Sequence, residues 1–461
     1  MSLPDIRARI LLCVLTGYIM FNYGFMLLRA GIPLGDMGLI LCLVTINIGV
    51  VLTKISSVIN LTPLLVWWCF GLARAIVDGF EYGVWALRDA VQVIDSLWLI
   101  VAFAVAQKAE NVETLFRCLK WLCVAYAVYA LGVPFQDTIA RISPSISEAA
   151  SGEPAPLVGT YANVGSILLW IAFYLAITDH KNQHTRIAAT AAAGLIICVV
   201  VIVGQGRTTY LQLLALMCIV GLFRRKSIGR FGAILPIMIV VVGTITAFDI
   251  KIPGRLTDQF SFSFALKHFE AIGGIADADD QSLTSAASGV PQRLDWWKNI
   301  LEEEWADPVK LITGLGYGRP LTKFSAVGGV TVREPHSSFM SVLGRLGIIG
   351  AISWIWLHVE LFKLWRKVFL HYRRQREKVW TDRLLLMLAF VVLVLVEAAG
   401  EDALEKPFNI VPYYCFWGVI LRLGVIAVRN SVLPERRYYW HRRVSTYPDQ
   451  HAINGVGRPR S

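Results

Sequence analysis

Long apolar blocks constrain the fold of this chain more than any other feature. Hydrophobic residues make up 56% of its 461 residues and charged residues only 17%, whereas soluble domains carry about 25% charge. Each block approaches the roughly 20 apolar residues that a helix needs to cross a bilayer. The sequence therefore predicts an all-α polytopic membrane protein. On the length criterion we expect about twelve transmembrane helices, near residues 9–28, 34–53, 61–77, 90–107, 115–134, 158–178, 187–204, 208–223, 231–249, 338–361, 383–399 and 411–428.

Positively charged residues predict how the chain is oriented. Arg7 and Arg9 precede the first block, so we place the N-terminus in the cytoplasm. Every second connection is then basic, above all the one from Lys363 to Arg383, and the connections between them are poor in Lys and Arg. This alternation predicts an even number of spans and a cytoplasmic C-terminus. The net charge of +11 arises beside apolar blocks, which is typical of membrane topology and not of a nucleic-acid-binding surface.

One long polar segment interrupts the apolar blocks and divides the chain into four parts. We expect transmembrane helices 1–9 in residues 1–249, a large loop on the outer side in residues 250–335, transmembrane helices 10–12 in residues 336–430, and a basic cytoplasmic tail in residues 431–461. Within the loop, Phe262 to Ile275 and Arg293 to Trp305 have the apolar spacing of amphipathic helices.

The sequence lacks the motifs of several common reaction chemistries. The eight cysteines lie in or beside apolar blocks without a CxxC pair, which is typical of apolar core residues rather than of a metal site or a disulfide framework. HExxH, Walker and GxSxG motifs are absent, so a metal-dependent or nucleotide-hydrolysing mechanism has no support. A carboxylate pair for glycoside hydrolysis stays open, because the large loop is rich in Asp and Glu.

Arginines at the outer surface are the first candidate site residues. Arg207 lies in the short turn from Gly204 to Thr209. Its guanidinium either anchors a helix end at the interface or, beside flexible glycines and two hydroxyls, binds a phosphate; we favour the phosphate. Arg88 either pairs with Asp89 where a helix begins or supplies a second cation at the same surface, and the sequence favours neither.

The large loop and its return to the membrane supply the other candidates. Arg293 lies in the second amphipathic helix, where an isolated Arg would indicate only a solvated helix face. The segment Gly314 to Arg319 is glycine-spaced, which alone is weak evidence for phosphate contact; its Tyr317 and Arg319 are candidate substrate-binding residues. His336 lies where the loop re-enters the membrane, and either bonds to nearby backbone at a helix start or acts as a base near neutral pH.

Four features recur in a fixed order: Gly206-Arg207 in an outside turn, Arg293 with Trp297 four residues on, the segment Gly314 to Gly318, and His336 followed by Gly347 to Gly350. In this order and placement they resemble the O-antigen ligase and polysaccharide polymerase superfamily of bacterial inner membranes. The resemblance is most specific from Gly204 to Gly350. The chain departs from the pattern where Ser337 replaces a frequent Asn and where Gly206 replaces a frequent Ser.

The resemblance implies a membrane-embedded, GT-C-like glycosyltransferase that inverts the anomeric carbon without a metal or other cofactor. Its donor would be an undecaprenyl-diphosphate-linked glycan, its acceptor a sugar hydroxyl of a glycan or glycolipid, and its active site would face the periplasm. Arg207 and Arg293, with Arg88 as a third cation, would stabilise the diphosphate leaving group. His336 would position or deprotonate the acceptor hydroxyl. A chain-length regulator or a flippase is a protein partner that the resemblance leaves open.

Three activities compete within this interpretation. We favour a surface-polysaccharide polymerase, because the loop is long and His336 is followed by two serines. An O-antigen ligase, which transfers the finished chain to lipid A core, is the alternative within the same class. A transporter of the lipid-linked glycan is the alternative from another class, although paired mid-membrane breaks in matching halves are not evident in the sequence.

Overall fold

The computed structural model describes residues 3–30, 32–147, 154–159, 161, 163–178, 182–204, 207–247, 281–322 and 332–432. Its α-helices are α1 (Leu3–Phe21), α2 (Tyr23–Leu27), α3 (Leu34–Val44), α4 (Ile48–Ser56), α5 (Thr62–Tyr82), α6 (Val84–Asp89), α7 (Val91–Asp95), α8 (Trp98–Val105), α9 (Ala109–Tyr129), α10 (Gln136–Ile142), α11 (Val164–Ile177), α12 (Gln183–Gly204), α13 (Arg207–Phe223), α14 (Ile228–Ala247), α15 (Gln281–Trp305), α16 (Pro308–Thr313), α17 (Ser338–Arg374), α18 (Lys378–Gly400) and α19 (Pro407–Val432). Short 3₁₀ helices cover Ala130–Phe135 and Arg225–Ser227. Two small antiparallel sheets pair β1 (Arg29–Ala30) with β2 (Ile32–Pro33) and β3 (Ser145–Ser147) with β4 (Pro154–Pro156).

Six of the described helices are long and apolar enough to cross a bilayer, namely α5, α9, α12, α17, α18 and α19. The bent pair of α3 and α4 would add a seventh, and shorter apolar helices cover Val91–Val105, Val164–Ile177 and Thr208–Phe223. The predicted all-α membrane fold with several spans is therefore confirmed. The count of twelve and the four-part division of the chain stay predictions.

The block expected to form a single span over 34–53 consists of two helices that meet at 85°. The break has a local cause. The Thr45 hydroxyl donates to the carbonyl of Cys42, where α3 ends, and the Arg7 guanidinium in turn donates to the Thr45 hydroxyl at 2.8 Å. The Asn47 side chain then caps α4 by accepting a hydrogen bond from the Val50 amide. Side chains that satisfy backbone groups at both helix ends thus stabilise the bend.

The most buried of the six candidate spans is α19. Of its most apolar stretch, 89% is buried inside the protein, against 17% for α9. The α19 helix packs against α8, α17 and α18. Large apolar side chains on the outer helices, such as Val44 and Phe80, are exposed. In a membrane protein such a surface faces lipid, which is as apolar as the side chains themselves. The fold therefore has a central helix surrounded by lipid-facing ones.

The expected outer-side loop is described in part. The predicted helix from Arg293 to Trp305 is present as the C-terminal half of α15, whereas the predicted helix from Phe262 to Ile275 lies outside the described residues. Helix α16 packs against α17 near Gly347, which interrupts that helix with a φ of 60°. A side chain there would meet the Gly314 amide, since an added Cβ would lie 2.5 Å from its nitrogen. The loop is thus fitted closely onto the start of α17.

Candidate active site

His336 lies two residues before α17, in a backbone conformation that few residues other than glycine adopt. Its φ is +50°, and such conformations persist only where the surrounding structure maintains them. Two contacts do so. The Trp297 indole N–H donates to the Pro335 carbonyl at 2.9 Å, and the Ser338 amide donates to the Glu401 carbonyl at 3.3 Å. The imidazole of His336 is therefore aimed by α15 on one side and by the α18–α19 connection on the other.

Two carboxylates of that connection face the same imidazole nitrogen. His336 Nδ1 lies 3.3 Å from Asp402 Oδ1 and 3.5 Å from Glu401 Oε2. A carboxylate that accepts from Nδ1 fixes the tautomer with its proton on that nitrogen and leaves Nε2 as the acceptor. The ring of Trp296 lies beside the imidazole, with the ring centroids 5.7 Å apart. The arrangement therefore fixes the orientation of the His336 ring.

Two cations pair with the same carboxylates. Arg293 Nη2 lies 3.1 Å from Glu401 Oε1, and Lys406 Nζ lies 3.3 Å from Asp402 Oδ1. We call Arg293, His336, Glu401, Asp402 and Lys406 the His336 cluster. Burial by itself would raise the pKa of Asp402, but the hydrogen bond from His336 and the charge of Lys406 outweigh it and lower that pKa below its usual range. Asp402 is therefore ionised across the physiological range and available to orient the imidazole.

The N-terminus of α13 lies next to this cluster. The position that a Cβ of Gly400 would occupy is 3.7 Å from Arg293 Nη1 and also 3.7 Å from Thr208 Oγ1. Arg207, the first residue of α13, is therefore one residue away from a side chain that borders the cluster. The side chain of Arg207 itself lies outside what the structure describes. The exposed amides of a helix N-terminus carry a partial positive charge, which favours an anion here.

A buried polar network anchors the helices that support this end of the molecule. The Ser166 hydroxyl donates to Glu397 at 2.6 Å and accepts from Gln212 at 2.8 Å, while Asn163 donates to Asn409 at 2.7 Å. These contacts link α11, and Asn163 just before it, with α13, α18 and α19. Glu397 lies three residues before Gly400 on α18. Polar side chains that bond across helices inside a membrane hold them in a defined register.

The glycine-spaced segment packs against α5 rather than forming an open phosphate cradle. Its Tyr317 amide donates to Asp78 at 2.7 Å and its Gly318 amide donates to Asp89 at 2.9 Å. Gly316 has a φ of +89°, and an added Cβ would lie 2.4 Å from the Arg74 guanidinium. Protein carboxylates thus occupy the amide donors that a phosphate would need, so the glycines serve close packing.

A second charged group lies deeper at the same end. Arg345 on α17 pairs with Glu334 at 2.7 Å and with Asp89 at 3.0 Å, and Arg333 pairs with Asp89 at 2.9 Å. We call Asp89, Arg333, Glu334 and Arg345 the Arg345 network. Arg345 also donates to the Gly316 and Arg319 carbonyls. The network therefore fastens the glycine-spaced segment to both α6 and α17.

Glu405 lies between these two groups. The Ser338 hydroxyl and the Gln92 amide each donate to it at 2.5 Å. Burial, with the charges of Glu334 and Asp402 as further causes, raises the pKa of Glu405 to about 8. Near neutral pH this carboxyl is therefore mostly protonated.

The structure brings together some of the sequence-predicted residues and separates others. Arg293 and His336 share the His336 cluster. Arg88 is exposed, with its guanidinium 4.9 Å from the centre of the Trp85 ring, and Arg319 pairs with Glu303 at 2.7 Å. Tyr317 is only 2% exposed. That burial favours a structural role for Tyr317; substrate contact by Arg88, Tyr317 and Arg319 stays a prediction that our mechanism does not use.

Sequence reasoning missed the acids of the α18–α19 connection. Glu401, Asp402, Glu405 and Lys406 fall within a six-residue turn between two apolar blocks. Charges beside hydrocarbon are costly unless they are paired, so their concentration in so short a turn was the available signal. The expectation for residues 400–410 considered only their shortage of positive charge.

The three ligand-type side chains of the His336 cluster also have the spacing of a cation site. His336, Glu401 and Asp402 each offer one ligand atom, and these atoms lie within 4.8 Å of one another. The same carboxylates, however, already pair with Arg293 and Lys406. A divalent ion would have to displace these two protein cations.

The structure thus joins a polytopic α-helical membrane fold to an oriented histidine and paired cations at one end of its helices. Residues 191–355 match the O-antigen ligase family. The matched stretch contains Arg207, Arg293 and His336, and it confirms the resemblance to the O-antigen ligase and polysaccharide polymerase superfamily. No curated protein matches the chain. The match supports a function of the ligase or polymerase type.

Proposed function

We propose that this protein is a membrane glycosyltransferase that moves a glycan from undecaprenyl diphosphate to a sugar hydroxyl at the periplasmic face. The observation that carries the proposal is the His336 cluster: a histidine whose Nδ1 faces two carboxylates, with Arg293 and the N-terminus of α13 beside it. The cluster combines an oriented base with an anion-binding region, and glycosyl transfer from a lipid diphosphate needs both.

The base acts on the acceptor. The acceptor hydroxyl approaches Nε2 of His336, which takes its proton as the oxygen bonds to the anomeric carbon. Asp402 and Glu401 hold the proton on Nδ1 and oppose the positive charge that develops on the ring, as a triad carboxylate does. A base placed in this way contributes roughly 10²–10⁴-fold to the rate.

The cations act on the leaving group. As the bond from the anomeric carbon to the diphosphate oxygen breaks, its electron pair and negative charge pass to the diphosphate. Arg293, Arg207 and the helix N-terminus would stabilise that charge in a partly water-excluded site. Attack opposite to the departing diphosphate inverts the anomeric carbon. Atoms and charge balance without an oxidant, a nucleotide or a further reactant.

Metal independence is part of the proposal. It is supported by Arg293 and Lys406, since these residues already supply positive charge to the carboxylates that a metal would need. Turnover of the purified protein is therefore expected to be unchanged by EDTA. Loss of turnover on EDTA treatment, restored by a divalent ion, would assign His336, Glu401 and Asp402 to a metal site instead.

A polymerase remains our preferred activity, and the family match keeps a ligase as the second candidate. Purified protein would be mixed with a defined undecaprenyl-diphosphate oligosaccharide, with and without lipid A core. A ladder of products without lipid A core supports the polymerase, whereas a single product that requires lipid A core supports the ligase. Movement of lipid without transfer would contradict both and favour a transporter.

A His184→Ala variant is the matched control for changes at His336, because His184 is exposed at the far end of α12.

A further inference from the structure

A cavity of about 440 Å³ opens between α9, α11 and α18, at the opposite end of the helices from the His336 cluster. Helix α18 relates the two places. Gly400 at its end borders the His336 cluster, and Lys378 at its start lines the cavity. With a rise of about 1.5 Å per residue these two residues are roughly 33 Å apart, which is close to the thickness of a bilayer's hydrocarbon core. The cavity is therefore a separate site at the other membrane face.

The interior of the cavity is apolar. It is lined by Phe116 and Leu119 of α9, Trp170 and Ile177 of α11, and Leu386 of α18. The one polar atom of the Trp170 side chain is occupied, since its indole N–H donates to the Leu386 carbonyl at 2.8 Å. The cavity volume lies within the range of about 300–1,000 Å³ that is usual for ligand sites. An interior of this kind suits a hydrocarbon chain.

The mouth of the cavity is positively charged. Arg117, Lys120, Lys378 and Arg383 line it, together with the acids Glu113 and Asp382. Both acids are neutralised.

Glu113 accepts a bidentate pair from Arg383 at 2.5 and 2.7 Å, and Asp382 pairs with Arg224 at 3.0 Å. Arg383 is further fixed over the rings of Phe116 and Trp380. The lining therefore holds four basic residues against two acids, which is an excess of positive charge.

We propose that this cavity binds an anionic phospholipid of the surrounding membrane. Its phosphate lies among Arg117, Lys120 and Lys378, and one acyl chain lies against Trp170 and Ile177. Basic pockets between transmembrane helices attract anionic head groups, and lysines reach such head groups from the membrane interface. A bilayer lipid presents a phosphate and a chain in the required order, whereas free phosphate would leave the apolar interior unfilled. This inference does not depend on the proposed glycosyl transfer.

Binding of chain-labelled phosphatidylglycerol to the purified full-length protein in detergent micelles tests the proposal. Unlabelled phosphatidylglycerol is expected to compete, whereas phosphatidylcholine and inorganic phosphate compete at least tenfold less well. The double variant Lys120→Gln with Lys378→Gln is expected to weaken binding about 30-fold, at roughly fivefold for each basic residue near the surface. Cys123→Phe, which fills the cavity without changing its charge, is also expected to weaken binding.

The matched control is Arg366→Gln with Lys367→Gln, which removes the same charge from exposed positions of α17 that do not line the cavity. It is expected to change binding less than twofold. An equal effect of both double variants would reduce the interaction to general surface charge and overturn the proposal. Unchanged binding by Cys123→Phe would also overturn it, because the chain would then lie outside the cavity. Tighter binding of farnesyl phosphate than of phosphatidylglycerol would replace the phospholipid with a prenyl phosphate and reject the proposal.

Discussion

The His336 cluster and the Arg345 network lie at the same end of the helices and are both built from paired charged residues, but they differ in exposure. The side chains of His336 and Arg293 are 34% and 30% exposed, whereas those of Arg345 and Asp89 are each 3% exposed. A buried ion pair is held by its partners and by backbone carbonyls, and removing one member leaves an unpaired charge in a low dielectric. A partly exposed cluster can exchange its partners for a bound ligand.

This difference separates chemistry from structure within one charged region. The Arg345 network joins α6, α17 and the glycine-spaced segment, so its energetic role is to fix the loop on the membrane helices. The His336 cluster rests on that support and leaves the side chains of His336 and Arg293 partly exposed. Substitutions in the two groups should therefore affect different measurements.

The largest effect on activity is expected for His336→Ala. Loss of the base should reduce the turnover of purified protein roughly 10²–10⁴-fold, while the melting temperature in detergent changes little, because His336 is partly exposed. His184→Ala should leave both quantities unchanged. Full polymer output by His336→Ala in cells at normal expression would rule out the proposed site.

The largest effect on stability is expected for Arg345→Ala. The substitution leaves Glu334 buried without its paired cation and Asp89 with Arg333 alone, which costs about 3–5 kcal/mol. Thermal unfolding in detergent and the yield of folded protein measure this loss. The control is Lys298→Ala, whose exposed pair with Glu302 contributes less than about 1 kcal/mol. If the two variants unfolded alike, the Arg345 network would have no special structural role.

A smaller effect is expected for Asp402→Asn. The amide can donate to the imidazole and so favours the wrong tautomer, which costs about 10⁴-fold where a lone aspartate orients the histidine. Because Glu401 shares Nδ1, we expect a loss of roughly 10- to 100-fold in turnover. Asp402→Glu should restore part of it. A purely structural role would lower the melting temperature and leave the pH profile of turnover unchanged.

The remaining effect is a change in how stability depends on pH. The folded protein raises the pKa of Glu405 to about 8 from 4.5, so it favours the protonated carboxyl. The stability that this shift contributes is complete below about pH 4.5 and is lost as the pH rises through about 8. Glu405→Gln is neutral at every pH and should lack this decline. Melting temperatures of both proteins between about pH 5 and about pH 9 provide the test, and parallel curves would contradict it.

Sequence patterns identified two residues of the candidate site, Arg293 and His336. Arg293 and His336 were selected because of their order along the chain, and the structure places both in one cluster. Glu401 and Asp402 were missed, since charges concentrated in a short turn indicate that they are paired but not that their partner is His336. The glycine-spaced segment suggested phosphate contact, but its amides bond to Asp78 and Asp89, which lie more than 200 residues away in the chain.

The amino-acid sequence by itself determined that this chain crosses a membrane as helices. Lipid offers no hydrogen bonds, and a long apolar block can pair its own backbone N–H and C=O groups only as a helix. The sequence also determined which end of the helices is basic, since charge placement is a local property of the connections. Only the tertiary structure decided which charges meet. Pairing depends on distances of a few ångströms between helices far apart in sequence. Those contacts orient His336 in a partly exposed cluster and bury Arg345 among its partners.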